Sequence, residues 1–535
     1  MATINDARVR KANERPANGA GDYVLYWCQM SRRLSHNHAF DYALHLANHH
    51  KKPLVVYEGL KLNYPWACAR FHTFMLEGMR DNAAAAAKLG VTYWPFVEMP
   101  ENDGHGLIVK LAKDAVAVVT DDYPAFIVPG QIRALAAKTQ TPVIAVDANG
   151  VVPLSLLGKI VGAAAHLRPR LHKLFPECWA ARSNAEPVVK CIAKTKVDPP
   201  FKTWTVPDDI TAWVKTLPLD QTVPAVPGMT GGTIAGQNML RDFVKHKLDR
   251  YAVDRNQPDH PEKNSASGIS PWLHYCHIGI EEVIDAALNT TGAWTLEEIN
   301  RSTRNKDDYF CRDANVNGFL DEAITWRDVG YQWHWHKNAE CTSSPNKSWQ
   351  DASELPSFNF TTMDFSRAGQ GTLETVLPAW AQTTLNKHAT DRREFVYTLE
   401  EFEQGDTHDD LWNAAQKELV ATGKIHNYLR MLWAKKVLEW SGSPEEAYRT
   451  LEHLNNKYAT DGRDPNSYTG ILWCFGLFDR PWPPERDVFG SVRFMSSGNT
   501  AKKFKLQGYY EYIKTLPSIA NVQKGKTTAP PKTLF

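Results

Sequence analysis

The sequence predicts two domains, an N-terminal α/β domain with a parallel sheet and an all-α C-terminal domain. The chain has 535 residues, more than one hydrophobic core accommodates. In its first third, short apolar runs alternate with helical stretches, which is the pattern of a Rossmann-like sheet covered on both faces. From about residue 231 the pattern becomes almost wholly helical. We therefore predict domains at 1–186 and 231–515, a linker at 187–230 and a basic tail at 516–535.

The elements of the first domain follow from its apolar runs and from the helical periodicity between them. Strands are predicted at 23–27, 53–57, 91–97, 115–120 and 142–146, and helices at 38–48 and about 65–89. No GxGxxG motif follows the first strand, so a dinucleotide site at that position has no support.

Prolines mark the linker, and glycine and helix-capping residues mark the helix ends of the second domain. Seven prolines between residues 187 and 227 are typical of an inter-domain connection. The clearest helices are 410–422 and 424–440, with Gly423 between them at a C-cap position. Ser443 is then a predicted N-cap, Pro444 the first helical residue, and Glu446 is placed for a capping box.

Composition and charge exclude several classes of protein. Hydrophobic residues make up 43% and charged residues 23%, as in ordinary globular proteins, and the net charge is +1. Any contact with nucleic acid must therefore come from a local patch, and residues 493–535 carry eight Lys and Arg against one acid. The alternative for that stretch is a solvated tail. Without a signal sequence, an apolar run of membrane-spanning length or a CxxC pair, we expect an intracellular, cytoplasmic protein with reduced cysteines.

Tryptophan is unusually frequent, with 18 residues, of which 12 lie from Trp272 onward. Trp433 and Trp440 are seven residues apart on one predicted helix, so their indoles share a face about 10 Å apart along the axis. Trp412 lies on the preceding helix, and the three rings could form a chain from the interior to the surface. Spacing alone favours a packed aromatic core over such a relay.

Four ordered blocks resemble the class II cyclobutane pyrimidine dimer photolyases of the photolyase/cryptochrome superfamily. They lie at 410–416, 426–436, 454–458 and 461–468, and a looser resemblance extends over most of the chain. The resemblance implies a DNA-repair lyase in which photoexcited, reduced FAD passes an electron to a flipped pyrimidine dimer. It also implies that the helical domain binds FAD and that the N-terminal domain can hold an antenna chromophore, for which a deazaflavin is the class II precedent.

The resemblance further implies a set of FAD contacts. Asn455 matches the asparagine beside the flavin N5, and Arg430 with Asp461 matches an ion pair near the isoalloxazine, for which a purely structural salt bridge is the alternative. Ala266 departs from the family's phosphate-binding segment because it lacks a hydroxyl, whereas the start of the next helix would favour phosphate. The remaining implied contacts are Tyr251, Ser267, Gly268, Ile269, Ser270, Asp464 and Asn466.

Two further groups of residues are implied for the chemistry. Trp433, Trp412 and Trp440 match the proximal, middle and distal members of the class II photoreduction chain. Glu322 matches the acid that contacts the dimer in the family. A carboxyl group in an aromatic pocket should have a raised pKa, so Glu322 could donate to a thymine O4. The other implied lesion or DNA contacts are Trp326, Trp473, Met431, Arg255 and Arg493.

Some segments depart from the family. Residues 327–336 do not follow the usual pattern, the segment 341–371 is longer and more polar than expected, and Leu432 stands where many class II enzymes have a tyrosine. The pair His334 and His336 is interpreted as packing rather than as a metal site. Two other functions stay open, a cryptochrome-like photoreceptor and a 6-4 photolyase. We expect a monomer that binds DNA containing pyrimidine dimers, with no metal and no membrane contact.

Overall fold

The computed structural model of the protein describes residues 6–100, 103–187, 190–191, 193–258, 264–302, 306–342, 373 and 376–527. It confirms the predicted fold class, an α/β domain followed by a helical domain. Across these residues, six strands form one sheet in the order β1-β6-β5-β2-β3-β4. The strands are β1 Val9–Lys11, β2 Tyr23–Trp27, β3 Leu54–Leu60, β4 Thr92–Val97, β5 Ala115–Asp121 and β6 Val143–Val146.

Strands β2 to β6 are parallel, and β1 joins the edge antiparallel to β6. All residues of β2 and β5 are buried, as expected of strands with helices on both faces. Every predicted strand is present, but β1 was not predicted because its Val-Arg-Lys sequence has no apolar run. Its position depends on tertiary contacts, including two hydrogen bonds from Arg10 to Asp122.

Five helices accompany the sheet. They are α1 His38–His50, α2 Ala69–Leu89, α3 Leu107–Lys113, α4 Val128–Lys138 and α5 Ala164–Ala180. Helix α2 begins four residues later than predicted because Trp66 has a φ of +60°, a left-handed conformation that an α-helix does not accommodate. The extended residue Cys68 then precedes its first turn.

The linker contacts both domains. In the described part of 193–230 the structure has one short helix, α6 Ile210–Val214. The guanidinium of the buried Arg70 donates to the Pro224 carbonyl in the linker at 3.1 Å. It also donates to the carbonyls of Val420 at 2.7 Å and Tyr458 at 2.6 Å in the helical domain. One side chain of α2 therefore connects the three parts of the chain.

The helical domain contains fifteen α-helices within the described ranges. They are α7 Thr233–His246, α8 Tyr251–Asp254, α9 Ser270–His274, α10 Ile280–Leu288, α11 Ala314–Leu320, α12 Arg327–Thr342, α13 Ala379–Lys387, α14 Leu399–Gln404, α15 Asp410–Thr422, α16 Asn427–Trp440, α17 Pro444–Tyr458, α18 Pro465–Trp473, α19 Ser497–Phe504, α20 Gln507–Thr515 and α21 Ile519–Gln523.

The structure describes only part of two predicted segments, the tail at 516–535 and the polar segment at 341–371. Helix α21 lies inside the tail, with Ile519 and Val522 buried, so the first part of that stretch belongs to the folded domain. Residues 528–535 and most of 341–371 lie outside the described residues. We propose the other domain limits as predicted from the sequence.

Helices α15 and α16 confirm the predicted pair with one correction. Helix α15 has the predicted bounds, whereas α16 begins at Asn427 instead of 424. Gly423 adopts a φ of +74°, and its N–H donates to the Leu419 carbonyl at 2.9 Å, which ends α15. Helix α16 begins later than predicted because the chain needs three further residues to reverse direction. Ser443 caps α17 by accepting from the Glu446 N–H at 3.2 Å.

Replacing Gly423 by alanine is expected to lower the free energy of unfolding by at least about 1 kcal/mol. The left-handed φ disfavours a side chain, and a Cβ at this position would overlap Oγ1 of Thr460. Urea unfolding checks the prediction. Gly498→Ala is the matched control, because its Cβ would meet no heavy atom within 4 Å. Equal effects of the two substitutions would contradict the argument.

Helices α11 and α12 are parts of one continuous helix. Between them Asp321–Trp326 forms a π-helical turn. Such turns are rare and occur frequently at functional sites, because the widened turn redirects the side chains it carries. This π turn carries both Glu322 and Trp326.

Candidate active site

A large cleft lies between α16, α18 and the π turn. It consists of two adjoining cavities of about 280 and 600 Å³, which share a lining that includes Met431, Asp464, Asn466 and Trp473. The lining contains most residues predicted from the sequence, namely Tyr251, Arg255, Ser267, Ile269, Ser270, Glu322, Trp326, Arg430, Met431, Trp433, Asn455, Asp461, Asp464, Asn466, Trp473 and Arg493. Ala266, Gly268, Trp412 and Trp440 are not part of it.

Arg430 organises the polar end of the cleft. Its guanidinium donates to both carboxylate oxygens of Asp461, at 2.8 and 3.3 Å, and to Oδ1 of Asn455 at 2.9 Å. The Ser270 hydroxyl donates to the same carboxylate at 2.8 Å. Burial disfavours the charged form of Asp461, but Arg430 and these hydrogen bonds outweigh it, so the pKa of Asp461 is lowered. The pair is therefore charged and fixes the orientation of Asn455.

The segment before α9 differs in part from its prediction as a phosphate-binding segment. Gly268 has a φ of +69°, which glycine adopts at little cost, and Ser267 lines the cleft. The hydroxyl of Ser270, however, already donates to Asp461. Helix α9 has only five residues, so its N-terminal dipole is weak and the expected help of a helix start in phosphate binding is not supported.

The three predicted relay tryptophans are in contact, in the predicted order. The rings of Trp433 and Trp412 stack at 6.2 Å with an interplanar angle of 7°, and Trp440 lies 6.2 Å from Trp412 at 67°. The indole N–H of Trp433 donates to Gln416 at 3.0 Å, and that of Trp412 donates to the Trp433 carbonyl at 2.9 Å. Trp433 lines the cleft, so the chain of rings begins at the cavity wall.

The expected exit of this chain at the surface needs correction. Trp440 is only 3% exposed because the segments flanking α14 cover the ring. Its ring contacts those of Tyr397, at 5.8 Å, and His408, at 4.9 Å. The Tyr397 hydroxyl and His408 Nδ1 are 2.7 Å apart at a solvent-exposed position. Sequence reasoning missed both residues, since nothing in their spacing connects them with Trp440.

Glu322 pairs with a second predicted residue. Nη1 of Arg255 donates to the Glu322 carboxylate at 2.6 Å and lies 3.4 Å from the Tyr251 hydroxyl. Burial raises the pKa of Glu322, and Arg255 opposes that rise without cancelling it. The pKa of Tyr251 is raised to about 12, mainly by burial. Tyr251, predicted as a phosphate contact, thus lies beside the two predicted lesion contacts.

Trp326 and Trp473 meet across the cleft. Their rings are stacked at 5.0 Å with an interplanar angle of 15°. This spacing leaves no room for a base between them, so they form one aromatic wall rather than two facing walls. A flat ligand would stack on an outer face of the pair or separate the rings.

Two further features were not predicted. Lys435 is buried in the cleft wall, where its ammonium donates to the Cys474 carbonyl at 2.6 Å and burial lowers its pKa to about 8. At the rim, Arg480 and Arg493 lie over the exposed ring of Trp482, at 4.7 and 4.9 Å from its centroid. An arginine–tryptophan cluster beside a cleft is a surface suited to phosphates and bases.

His334 and His336, which the sequence predicts to be packing residues, lie away from the cleft. Neither His334 nor His336 lines the described cleft, and His334 is buried 5.8 Å from the ring of Tyr468. The part of the chain that the structure describes contains no group of three or more His, Cys, Asp or Glu arranged to hold a metal. Of its helices, none combines the length and apolarity needed to span a bilayer.

Comparison with known proteins finds relatives that match this chain over most of its length and of theirs. The chain is 31% identical to the deoxyribodipyrimidine photo-lyase of Methanothermobacter thermautotrophicus, over 96% of this chain and 99% of the relative. It is 30% identical to the enzyme of the same name from Potorous tridactylus, over 91% and 81%, and 29% identical to that of Arabidopsis thaliana, over 98% and 95%. No protein-family model matches the chain.

Solved structures share the fold at lower identity. A class III photolyase from Agrobacterium tumefaciens matches with a TM-score of 0.56 and 18% identity, over 95% of this chain and 94% of the other. A cryptochrome from Synechocystis sp. PCC6803 matches with a TM-score of 0.59 and 14% identity, over 94% and 91%.

These solved structures show that the chain has the fold of photolyases and cryptochromes, an α/β domain followed by a helical domain. Sequence identity of 30% or more to photo-lyases, over most of the chain, then identifies the family within this class. The chain belongs to the deoxyribodipyrimidine photo-lyase family of the photolyase/cryptochrome superfamily, and it is an enzyme.

Proposed function

We propose that this enzyme is a class II photolyase that uses light and FAD to split cyclobutane pyrimidine dimers in DNA. One observation carries the proposal. A single cleft combines a stacked tryptophan chain at one wall, ending at Trp433, with a carboxyl group and an aromatic wall at another, Glu322 and Trp326. The first arrangement suits electron supply to a cofactor, and the second suits recognition of a flipped pyrimidine dimer.

The residues present fit FAD. The two cavities adjoin and share lining residues, so together they offer one continuous site for a dinucleotide. Asn455 and the Arg430–Asp461 pair offer hydrogen-bonding groups for the polar edge of a flavin. Ser267 and Asn466, which line the second cavity, would contact the rest of the molecule. When bound, reduced FAD supplies the electron that opens the cyclobutane ring on absorbing light and takes it back afterwards.

The chain's own residues have three tasks in this proposal. Arg430 holds Asn455 in one orientation, so its amide faces the cofactor with fixed polarity. Glu322, protonated more readily than an ordinary carboxyl, donates a hydrogen bond to a carbonyl of the dimer. The wall formed by Trp326 and Trp473 stacks on the dimer and excludes water from it.

DNA outside the flipped lesion would meet the rim cluster. Trp482, 36% exposed, is flanked by Arg480 and Arg493, and Arg486 lies nearby with its guanidinium over Phe494. The arginines would contact phosphates, and the indole would stack in the space that the flipped bases leave. On a chain with a net charge of +1, this local cluster is what produces DNA affinity.

A separate cavity offers a candidate site for an antenna chromophore. It lies between the carboxyl ends of the parallel strands, the usual ligand position in such sheets, and the helical-domain residues His274, Tyr275 and Arg463. Its lining includes Trp27, Tyr57, Tyr64 and Phe126, which suit a planar ring. We propose that it binds a deazaflavin-like antenna, which the absorption spectrum of the purified protein would reveal.

Light-dependent repair tests the proposal. Reduced wild-type protein is expected to remove a thymine dimer from an oligonucleotide under blue light and not in the dark. Glu322→Ala should slow this repair by about 10- to 100-fold, because the hydrogen bond from the Glu322 carboxyl group to a carbonyl of the dimer is lost. Glu297→Ala, which removes an exposed carboxyl elsewhere, should repair like the wild type.

Failure of the wild type to remove the dimer under light would refute the proposed activity on cyclobutane dimers. A second oligonucleotide with a 6-4 photoproduct separates the alternatives. Repair of that lesion alone would favour the 6-4 activity, and binding of flavin without repair of either lesion would favour a photoreceptor.

A further inference from the structure

The two lesion-side residues lie on the π turn Asp321–Trp326, within the continuous helix formed by α11 and α12. A π turn is less stable than the α-helix on either side, so it persists only where surrounding contacts hold it. Within the turn, Glu322 pairs with Arg255 and Trp326 stacks on Trp473, both in the helical domain. The contacts at the two ends of the turn come from the N-terminal domain.

The first contact is an ion pair at the start of the turn. Arg168, on α5, donates from Nε and Nη2 to the two carboxylate oxygens of Asp321, at 2.7 and 3.0 Å. The side chains are 15% and 5% exposed, so the pair is largely withdrawn from water. A bidentate arginine–carboxylate pair fixes both position and angle.

The second contact lies directly after the turn. Nη1 of Arg327 donates to the Asn149 carbonyl at 2.5 Å, and the guanidinium lies 4.1 Å from the centroid of the Tyr331 ring. Asn149 belongs to the chain that follows β6. The α/β domain thus holds the π turn at both ends.

Three residues between these contacts, Glu322, Ala323 and Trp326, line the cleft, and the ion pair itself does not. Glu322 and Trp326 line the cavity, whereas Arg168 and Asp321 are not part of its lining. Because Asp321 immediately precedes Glu322, any change in the helical register at Asp321 rotates Glu322 directly.

We propose that Arg168, acting through Asp321, is a positioning residue that keeps the π turn in the register needed for lesion recognition. The proposal rests on the proposed function, since it assigns Arg168 to the recognition of the same lesion. It gives the N-terminal domain a part in substrate selectivity, separate from any antenna that it holds.

Binding of damaged and undamaged DNA tests this role. Arg168→Ala is expected to weaken binding of a thymine-dimer duplex by about 10- to 100-fold, the effect of displacing binding groups by about an ångström. Binding of the undamaged duplex should stay unchanged, because the rim cluster is intact. The rate of light-driven flavin reduction should also stay unchanged, because the tryptophan chain lies on other helices. Arg168→Lys keeps the charge with fewer hydrogen bonds and should restore part of the discrimination.

Arg170→Ala is the matched control. Arg170 lies on the same helix but donates to the carbonyls of Leu157 and Lys159, away from the π turn, so lesion discrimination should be that of the wild type. Wild-type discrimination by Arg168→Ala would overturn the proposal, as would equal losses with both duplexes together with slower flavin reduction. If the alanine variant does not fold, Arg168→Lys decides by the same measurement. Repair by the wild type is measured in parallel, so that failure of the proposed function is recognised separately.

Discussion

Replacing Trp433 by phenylalanine is expected to slow light-driven reduction of the bound flavin by at least about 100-fold, which corresponds to about 2.7 kcal/mol of added barrier. Trp433 is the member of the tryptophan chain that lines the cleft, and it stacks on Trp412 at 6.2 Å. A phenyl ring is much harder to oxidise than an indole, so the path from Trp412 to the cofactor is interrupted. Flavin absorbance during illumination with an external reductant measures the rate.

Chemical reduction separates electron supply from structure. Trp433→Phe protein reduced with dithionite should repair a dimer at nearly the wild-type rate, because repair begins from the reduced cofactor. Trp94→Phe is the matched control, since Trp94 is equally buried and also makes one indole hydrogen bond, at 3.0 Å to Val197, but lies in the N-terminal domain. If Trp433→Phe reduces flavin as fast as Trp94→Phe, the tryptophan chain is not the path.

The second large effect is expected at Arg430. Arg430→Met should destabilise the protein by about 3 kcal/mol and should release much of the flavin, because Asp461 is left as an uncompensated buried charge. The double variant Arg430→Met/Asp461→Leu should recover much of the stability and none of the flavin affinity. The ratio of flavin to protein and urea unfolding measure the two effects.

An ion pair outside the cleft provides the control for Arg430. Lys457 pairs with Glu403 at 2.8 Å with similar burial, so Lys457→Met should cost stability and retain the flavin. Full flavin binding by the Arg430 variants would show that the pair is purely structural. Because the folded-state pKa of Asp461 is lowered, its contribution to stability is complete above the ordinary carboxyl pKa and is lost as the pH falls through the lowered value.

The sequence predicted those features that depend on local patterns. Buried parallel strands such as β5 appear as apolar runs, and Gly423 and Ser443 mark helix ends by their own chemistry. The order of the relay tryptophans was implied by the family resemblance, while helical spacing alone favoured a packed core. The structure adds their contacts, and the roles inferred for them remain predictions.

Other features depend on contacts distant in sequence and could not be predicted from local patterns. Strand β1 exists because an edge of the sheet is free to accept it, and the stacking of Trp326 on Trp473 joins segments far apart in the chain. The π turn has no sequence signature of its own, and Arg168 reaches it from another domain. Tyr397 and His408 cover Trp440 for the same kind of reason.

The turn between α17 and α18 forms a thin partition inside the molecule. Asp461 and Asp464 line the active-site cleft, while Arg463 between them lines the cavity of the N-terminal domain and donates to the Tyr275 hydroxyl at 2.8 Å. Arg70 holds the surrounding segments together from behind. Excitation energy passes between two dyes with an efficiency that falls steeply with their separation and depends on their mutual angle. For the antenna and the FAD proposed above, a partition only a few residues thick, held by buried guanidinium groups, would keep both quantities constant without any domain movement.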